Sequence, residues 1–261
     1  MRRFVLALLS MVLCSGCFRA TTTITVKQDG TGTIDQEVGA SAGALAMLRN
    51  FSASSGGQKP DADVKLFGPE QAQAAAAAMG VRFVSGEPYK TAEGEGYRAH
   101  FAFDDVSKVR FNFRQNAPAM GAEAEKAEAE PPFAFGFVKK DGTSVLTIKT
   151  PVDQQAAPGM LPKLPGAGTP EENAQMMAMV MPMLRGLFVD VTLALDGRVI
   201  KTNAPFVNGS QVTLLQFDLD KVTATEGALQ KLQQATDPRT LKDVPGIKIV
   251  TDPLITIEFG R

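Results

Sequence analysis

Residues 22–38, TTITVKQDGTGTIDQEV, decide the fold class. Ile24 and Val26 alternate with threonines on one arm, Ile34 and Val38 alternate with polar residues on the other, and Asp29-Gly30 lies between the arms. A period of two places the apolar side chains on one side of an extended chain. An Asp-Gly pair supplies the positive φ that a tight hairpin turn requires. The stretch therefore predicts a β-hairpin with one buried face and one wet face.

The same signal recurs along the chain. Asp141-Gly142, Asp196-Gly197 and Asn208-Gly209 each sit between apolar or β-branched segments. YRAHFAF places Tyr97, Ala99, Phe101 and Phe103 on one face, and FAFGFVKKDGTSVLTIKT sets Phe133, Phe135 and Phe137 against Leu146 and Ile148. FVDVTLAL alternates Val189, Val191, Leu193 and Leu195, and LITIEF groups Ile255, Ile257 and Phe259. This patterning predicts a curved, mainly antiparallel sheet of about eight or nine strands built from local hairpins.

Helical segments interrupt the strands. SAGALAMLRNF would turn Leu45 and Leu48 inward, and GPEQAQAAAAAMG carries Pro69 at its start and Gly80 as its stop. Thr169-Pro170-Glu171-Glu172 has the form of a capped helix start, with the helix running toward Gly186, and TEGALQKLQQAT reads as an amphipathic helix. The fold class is α+β, with helices packed on one face of the sheet. Residues 115–132 are rich in Ala, Glu and Pro, and residues 151–170 hold five prolines. Both predict long loops inside one domain spanning residues 17–261.

Residues 11–20, MVLCSGCFRA, hold both cysteines of the chain. Arg2 and Arg3 precede an apolar run from Phe4 to Leu13, and small residues follow it. A basic start, a short apolar stretch and a small-residue cleavage site make a secretory signal. The run falls short of the about 20 apolar residues a membrane-spanning helix needs. Leu13-Cys14-Ser15-Gly16-Cys17 resembles the lipobox of bacterial lipoproteins, with Cys14 where that motif usually has Leu. The resemblance implies a signal peptide over residues 1–16, cleavage between Gly16 and Cys17, and a diacylglycerol on the Cys17 sulfur with further acylation by a fatty acid such as palmitate. The membrane partner is then reached through acyl chains on Cys17. The body would be held at the cell envelope, outside the cytoplasm, and Phe18 rather than Asp after the anchor implies the outer membrane if the cell is Gram-negative. Strand-like sequence begins near Thr21, which leaves almost no tether.

Charge narrows the partners further. The chain has 27 Lys and Arg against 28 Asp and Glu, and loss of Arg2 and Arg3 leaves 25 against 28, a net of −3. A mildly acidic body offers no electrostatic footprint for nucleic acid.

Catalytic constellations are scarce. The single histidine, His100, falls on the polar face of its strand, and a zinc site needs three or four converging ligands. Gly39-Ala40-Ser41-Ala42-Gly43 matches the nucleophile-elbow spacing, yet Ser41 reads better as a helix cap. Asp104-Asp105 reads as a strand end that caps the following turn, and Gly30-x-Gly32 sits in a hairpin rather than before a dinucleotide-binding helix. Met176, Met177, Met179, Met181 and Met183 spread around both sides of a helix, as gap-filling core residues do, instead of converging on a soft metal. No metal, cofactor or catalytic residue is expected, and the protein is expected not to be an enzyme.

The lipobox, the early V-x-x-D-G-x-G-x-I hairpin, and Gly197-Arg198-Val199-Ile200-Lys201-Thr202-Asn203 followed by Asn208-Gly209-Ser210-Gln211-Val212-Thr213 are together similar to the LppM-type envelope lipoproteins of actinobacteria. Leu214 stands where that family carries Trp. The resemblance implies an α+β fold with a curved sheet and a lipid or glycolipid ligand, and it assigns no binding residue beyond the acylated Cys17. The functional expectation is a membrane-anchored, non-enzymatic envelope lipoprotein that binds an apolar or lipid-like ligand. The alternative is a structural or protein-interaction lipoprotein with no small-molecule ligand.

Overall fold

The computed structural model describes residues 18–46, 68–92, 94–112, 133–150, 184–235 and 237–261. The signal region with Gly16 and Cys17, the segments 115–132 and 151–170, Leu48 and the Met-rich stretch lie outside the described residues.

Strands dominate. They are β1 (Phe18–Val26), β2 (Gly32–Ser41), β3 (Arg82–Lys90), β4 (Gly94–Phe103), β5 (Arg110–Phe111), β6 (Phe133–Lys139), β7 (Thr143–Lys149), β8 (Phe188–Leu195), β9 (Arg198–Thr202), β10 (Val207–Asn208), β11 (Gln211–Asp218), β12 (Ile247–Ile249) and β13 (Leu254–Gly260). The larger sheet has eight strands in the order β10-β11-β8-β1-β2-β4-β3, with β12 also paired to β11. A second sheet of five strands runs β5-β6-β7-β13-β9. Two sheets thus replace the single one expected. Their inner faces meet in one buried cluster that joins Ile24, Ile34, Phe101 and Leu193 of the larger sheet to Phe135, Leu146, Ile257 and Phe259 of the smaller.

Local hairpins build much of this. Ile24 pairs with Ile34 across the first turn, where Gly30 has φ +86° and Asp29 Oδ1 accepts hydrogen bonds from the Thr31 amide and hydroxyl. Phe135 faces Ile148 and Phe137 faces Leu146 across the Asp141-Gly142 turn. Asn208-Gly209 joins the paired β10 and β11. The fourth Asx-Gly turn behaves differently. β8 belongs to the larger sheet and β9 to the smaller, so Asp196-Gly197 carries the chain from one sheet to the other. At Gly197, φ is +142°, and a Cβ would lie 2.6 Å from the Gly260 carbonyl oxygen. That close approach of two backbones requires glycine.

Among the described residues one strand pairing is parallel. β8 runs alongside β1 in register from Arg19–Phe188 to Val26–Leu195. The first hairpin also locks the sheets together. The Gln28 side chain donates to the Asp196 carbonyl at 3.0 Å, the Ser144 hydroxyl donates to the Gln28 carbonyl at 2.8 Å, and the Gly30 carbonyl accepts from the Val106 amide at 2.9 Å.

The helices are short. α1 (Pro69–Met79) has Pro in its first turn and ends at Gly80 in the left-handed conformation, with Ala72, Ala75, Ala76 and Met79 buried. Alanines on the buried side permit close approach to the core. The chain is helical at residues 42–46, with Leu45 buried. The expected helix over TEGALQKLQQAT is reduced to α3 (Ala228–Gln234), because Gly227 takes a left-handed φ of +73° at its start. A separate turn of helix, α2 (Leu219–Ala224), precedes it and is capped by Asp218 through the Lys221 amide. Among the described residues no helix is long and apolar enough to cross a membrane.

Candidate functional site

Among the described residues, the outer face of the larger sheet carries a dense array of polar side chains. Strand register arranges it in rows. The first row is Phe188, Arg19, Gly39, Gly96 and Tyr89; the second is Asp190, Thr21, Glu37, Arg98 and Glu87; the third is Thr192, Thr23, Asp35, His100 and Ser85. Side chains of such a row stand about 5 Å apart on neighbouring strands and interact directly. An open cleft of about 340 Å³ lies over the second and third rows. Its side-chain lining includes Thr21, Asp35, Glu37, Glu87, Arg98 and His100.

The first row makes room for the second. Gly39 and Gly96 leave a flat strip of backbone, and a Cβ at either would collide with Tyr89. Tyr89 therefore lies across them, and its hydroxyl donates to Glu37. Arg98 stacks over the Tyr89 ring, 4.6 Å from its centroid, while its Nε donates to Glu37 Oε2 at 3.1 Å. Partial burial pushes the Tyr89 phenol up, and the adjacent Glu37 charge and hydrogen bond push it the same way. The Glu37 hydrogen bond and charge raise the Arg98 guanidinium further above its already high value. Both shifts describe one interlocked triad.

The third row holds a second pair. His100 Nδ1 lies 2.6 Å from Asp35 Oδ1, both side chains being partly exposed. On the β1 side, Asp190 accepts from Gln216 Nε2 at 3.1 Å and from the Thr192 hydroxyl at 2.9 Å.

The residues singled out from sequence fall elsewhere, with one exception. His100 is on the solvent-facing side of β4, as its alternation predicted, but it is paired rather than merely solvated. Asp35, its partner, is 65 positions away, and no local pattern could have named it. Ser41 is 5% exposed at the end of β2, and its Oγ accepts the Ala44 amide at 3.2 Å. It is a helix cap, with no histidine beside it. Asp105 caps the turn at Val106–Lys108, accepting from the Ser107 amide at 2.9 Å and hydroxyl at 2.6 Å, which holds its carboxyl below the ordinary range. Asp104 is exposed. Asn203 extends the β9–β13 pairing with its side chain: Nδ2 donates to the Leu254 carbonyl at 2.9 Å and Oδ1 accepts the Thr256 amide at 2.7 Å. The Thr202-Asn203 motif is thus a strand terminator. Among the described residues no group of three or more His, Cys, Asp or Glu side chains is placed to hold a metal ion.

No protein-family profile and no curated protein matches the chain. Among solved structures, the NMR structure of the folded domain of LppM from Mycobacterium tuberculosis aligns over 94% of this chain and 91% of that chain. The identity is 12% and the TM-score 0.32. At that degree of superposition the similarity assigns no role to any residue here.

Proposed function

We propose that the protein is a lipid-anchored, non-enzymatic lipoprotein of the cell envelope whose body is a binding module. The observation that carries the anchored reading is the start of β1. Phe18, directly after Cys17, is already in strand and buried against Ala40, Ala44, Leu45 and Leu187. The strand starts earlier than the sequence pattern suggested, so an acylated Cys17 would hold one end of the larger sheet at the bilayer with no spacer. Two or three acyl chains suffice for stable attachment, whereas one does not.

The body in this reading is one α+β unit from residue 17 to 261. Bulges near Val84 in β3, between Thr213 and Leu215 in β11 and between Glu258 and Phe259 in β13 support a curved sheet. The non-enzymatic reading draws on Ser41, whose hydroxyl is engaged as a helix cap by the Ala44 amide. An apolar or lipid-like ligand loses the support that the Phe-rich strand faces lent it. Phe101, Phe103, Phe133 and Phe135 pack into the shared core. The polar outer face is the better binding surface.

Expression in a bacterial host with an alkyne fatty acid tests the anchor. The wild-type chain should carry the label and sediment with membranes, and Cys17→Ser should lose both. Label retained on Cys17→Ser, or a wild-type chain free of label, would overturn the anchored reading.

A further inference from the structure

We propose that the cleft over the second and third rows of the larger sheet binds a neutral, polyhydroxylated ligand, a small saccharide. The proposal extends the reading of the body as a binding module but does not depend on the lipid anchor, so acylation can fail while binding holds.

Size and shape come first. At about 340 Å³ the cleft lies at the lower end of ligand-binding clefts, which run from about 300 to 1,000 Å³. It opens to solvent and has a floor of β-structure on four adjacent strands, β1, β2, β4 and β3. Sites on rigid elements hold their geometry better than sites on loops.

The lining then selects the ligand. Across each row the groups alternate in hydrogen-bonding character. Thr21 offers a hydroxyl, Glu37 a carboxylate, Arg98 a guanidinium and Glu87 a carboxylate. Beside them Thr23 offers a hydroxyl, Asp35 a carboxylate, His100 an imidazole and Ser85 a hydroxyl. A sugar hydroxyl both donates and accepts, so a ring of them can meet such a lattice in both senses. Anions meet three carboxylates, Asp35, Glu37 and Glu87, against the single guanidinium of Arg98. An apolar ligand would strip water from charged groups and return no hydrogen bonds.

Preorganisation points the same way. Arg98 is fixed before any ligand arrives, by Glu37 at 3.1 Å and by the Tyr89 ring beneath it. Asp35 and His100 are likewise fixed on each other. The Arg98–Glu37 pair already balances its own charge, so a neutral ligand can use the remaining lone pairs and N–H groups of both pairs without breaking them. Binding to a prearranged lining avoids the ordering cost that weakens flexible sites.

Nuclear magnetic resonance on the full chain carrying Cys17→Ser, kept in detergent, tests the idea. Glucose, N-acetylglucosamine and maltose serve as neutral probes, inorganic phosphate as the anion and spermidine as the cation. Saturable shifts at millimolar concentration are expected with at least one sugar, confined to amides of residues 21–23, 35–37, 85–87 and 98–100 and to the His100 ring. Arg98→Ala and Glu37→Gln should each weaken that binding about tenfold, the effect of losing one hydrogen bond to a charged group. His100→Asn should weaken it too, in a chain whose remaining spectrum is unchanged. Thr33→Ala, on the same face outside the cleft, should leave it intact. Saturation by phosphate or spermidine but by no sugar would overturn the ligand class. No saturation by any probe, or full binding in Arg98→Ala and Glu37→Gln, would overturn the site.

Discussion

The two sheets turn similar faces inward and dissimilar faces outward. Inside, Phe101 and Phe259 are both fully buried, one from each sheet. Outside, the larger sheet carries the Glu37–Arg98–Tyr89 triad and the Asp35–His100 pair. The smaller sheet presents Ala134, Gly136 and Val138 beside Val145, Thr147 and Thr256, with Val138 58% and Leu254 47% exposed. The inner faces were shaped by the need to exclude water, which any large apolar side chain meets. The outer faces were free of that demand. The larger sheet's outer face thus gathers a triad and a pair of polar side chains beside one cleft, whereas the smaller sheet's outer face mixes small residues with the charged Lys149, Lys201 and Glu258.

The hardest blow to this comparison would come from the core. Phe101→Ala and Phe259→Ala should each destabilise the protein by about 3–5 kcal/mol, as large buried truncations do. Chemical denaturation should show a single transition in both variants. Two separate transitions, each sensitive to only one substitution, would break the picture of a shared core.

A smaller effect is expected on the strip of backbone under Tyr89. Gly96→Ala adds a Cβ that meets the Val38 carbonyl, the Gly39 backbone and the Tyr89 ring. Overpacking of this kind costs about 1–3 kcal/mol, and Tyr89 should be displaced from Arg98. Tyrosine fluorescence and thermal melting measure the two consequences, and a variant as stable as wild type with Tyr89 unmoved would sink the argument.

Acid should act outside both faces, at the turn between them. The two Ser107 hydrogen bonds to Asp105 favour its charged form, so the folded-state pKa lies below the unfolded value. Asp105 then contributes stability above its unfolded pKa, near the ordinary value of 3.8, and this is lost as pH falls through the lower folded value. Carboxyl titration by NMR should place Asp105 low, and Ser107→Ala should return it toward the ordinary value. An Asp105 pKa unaltered by Ser107→Ala contradicts this.

The least change is expected on the outer face of the smaller sheet. Val138→Thr and Leu254→Thr should shift stability by no more than about 0.5 kcal/mol, as surface substitutions usually do. A loss of several times that in a melting experiment would mean that this face is covered in the native protein and that the contrast between the two outer faces is smaller than drawn.

Much of the inward geometry was legible beforehand. The alternation in YRAHFAF placed Tyr97, Ala99, Phe101 and Phe103 on one face, and all four are buried. The facing of Phe135 on Ile148 and of Phe137 on Leu146 followed from the turn between them. Pro69 and Gly80 marked the ends of α1. These are local properties, because a strand's period and a turn's φ depend on neighbours in sequence. Asp196-Gly197 shows where locality ends. It has the same dipeptide form as Asp29-Gly30, yet one closes a hairpin and the other changes sheets. What separates them is the close approach of Gly197 to Gly260 and the Gln28 bond to the Asp196 carbonyl, both made by residues far along the chain.

By itself, then, the sequence determined which side chains face the core and where the hairpins turn. Only the tertiary structure decided that the strands divide between two sheets, that β8 lies parallel to β1, and that Asp35 meets His100 while Glu37 meets Arg98. Strand pairing at long separation depends on the loop-closure and packing free energy of the whole chain. The outer-face rows exist only once that pairing has set the register of four strands.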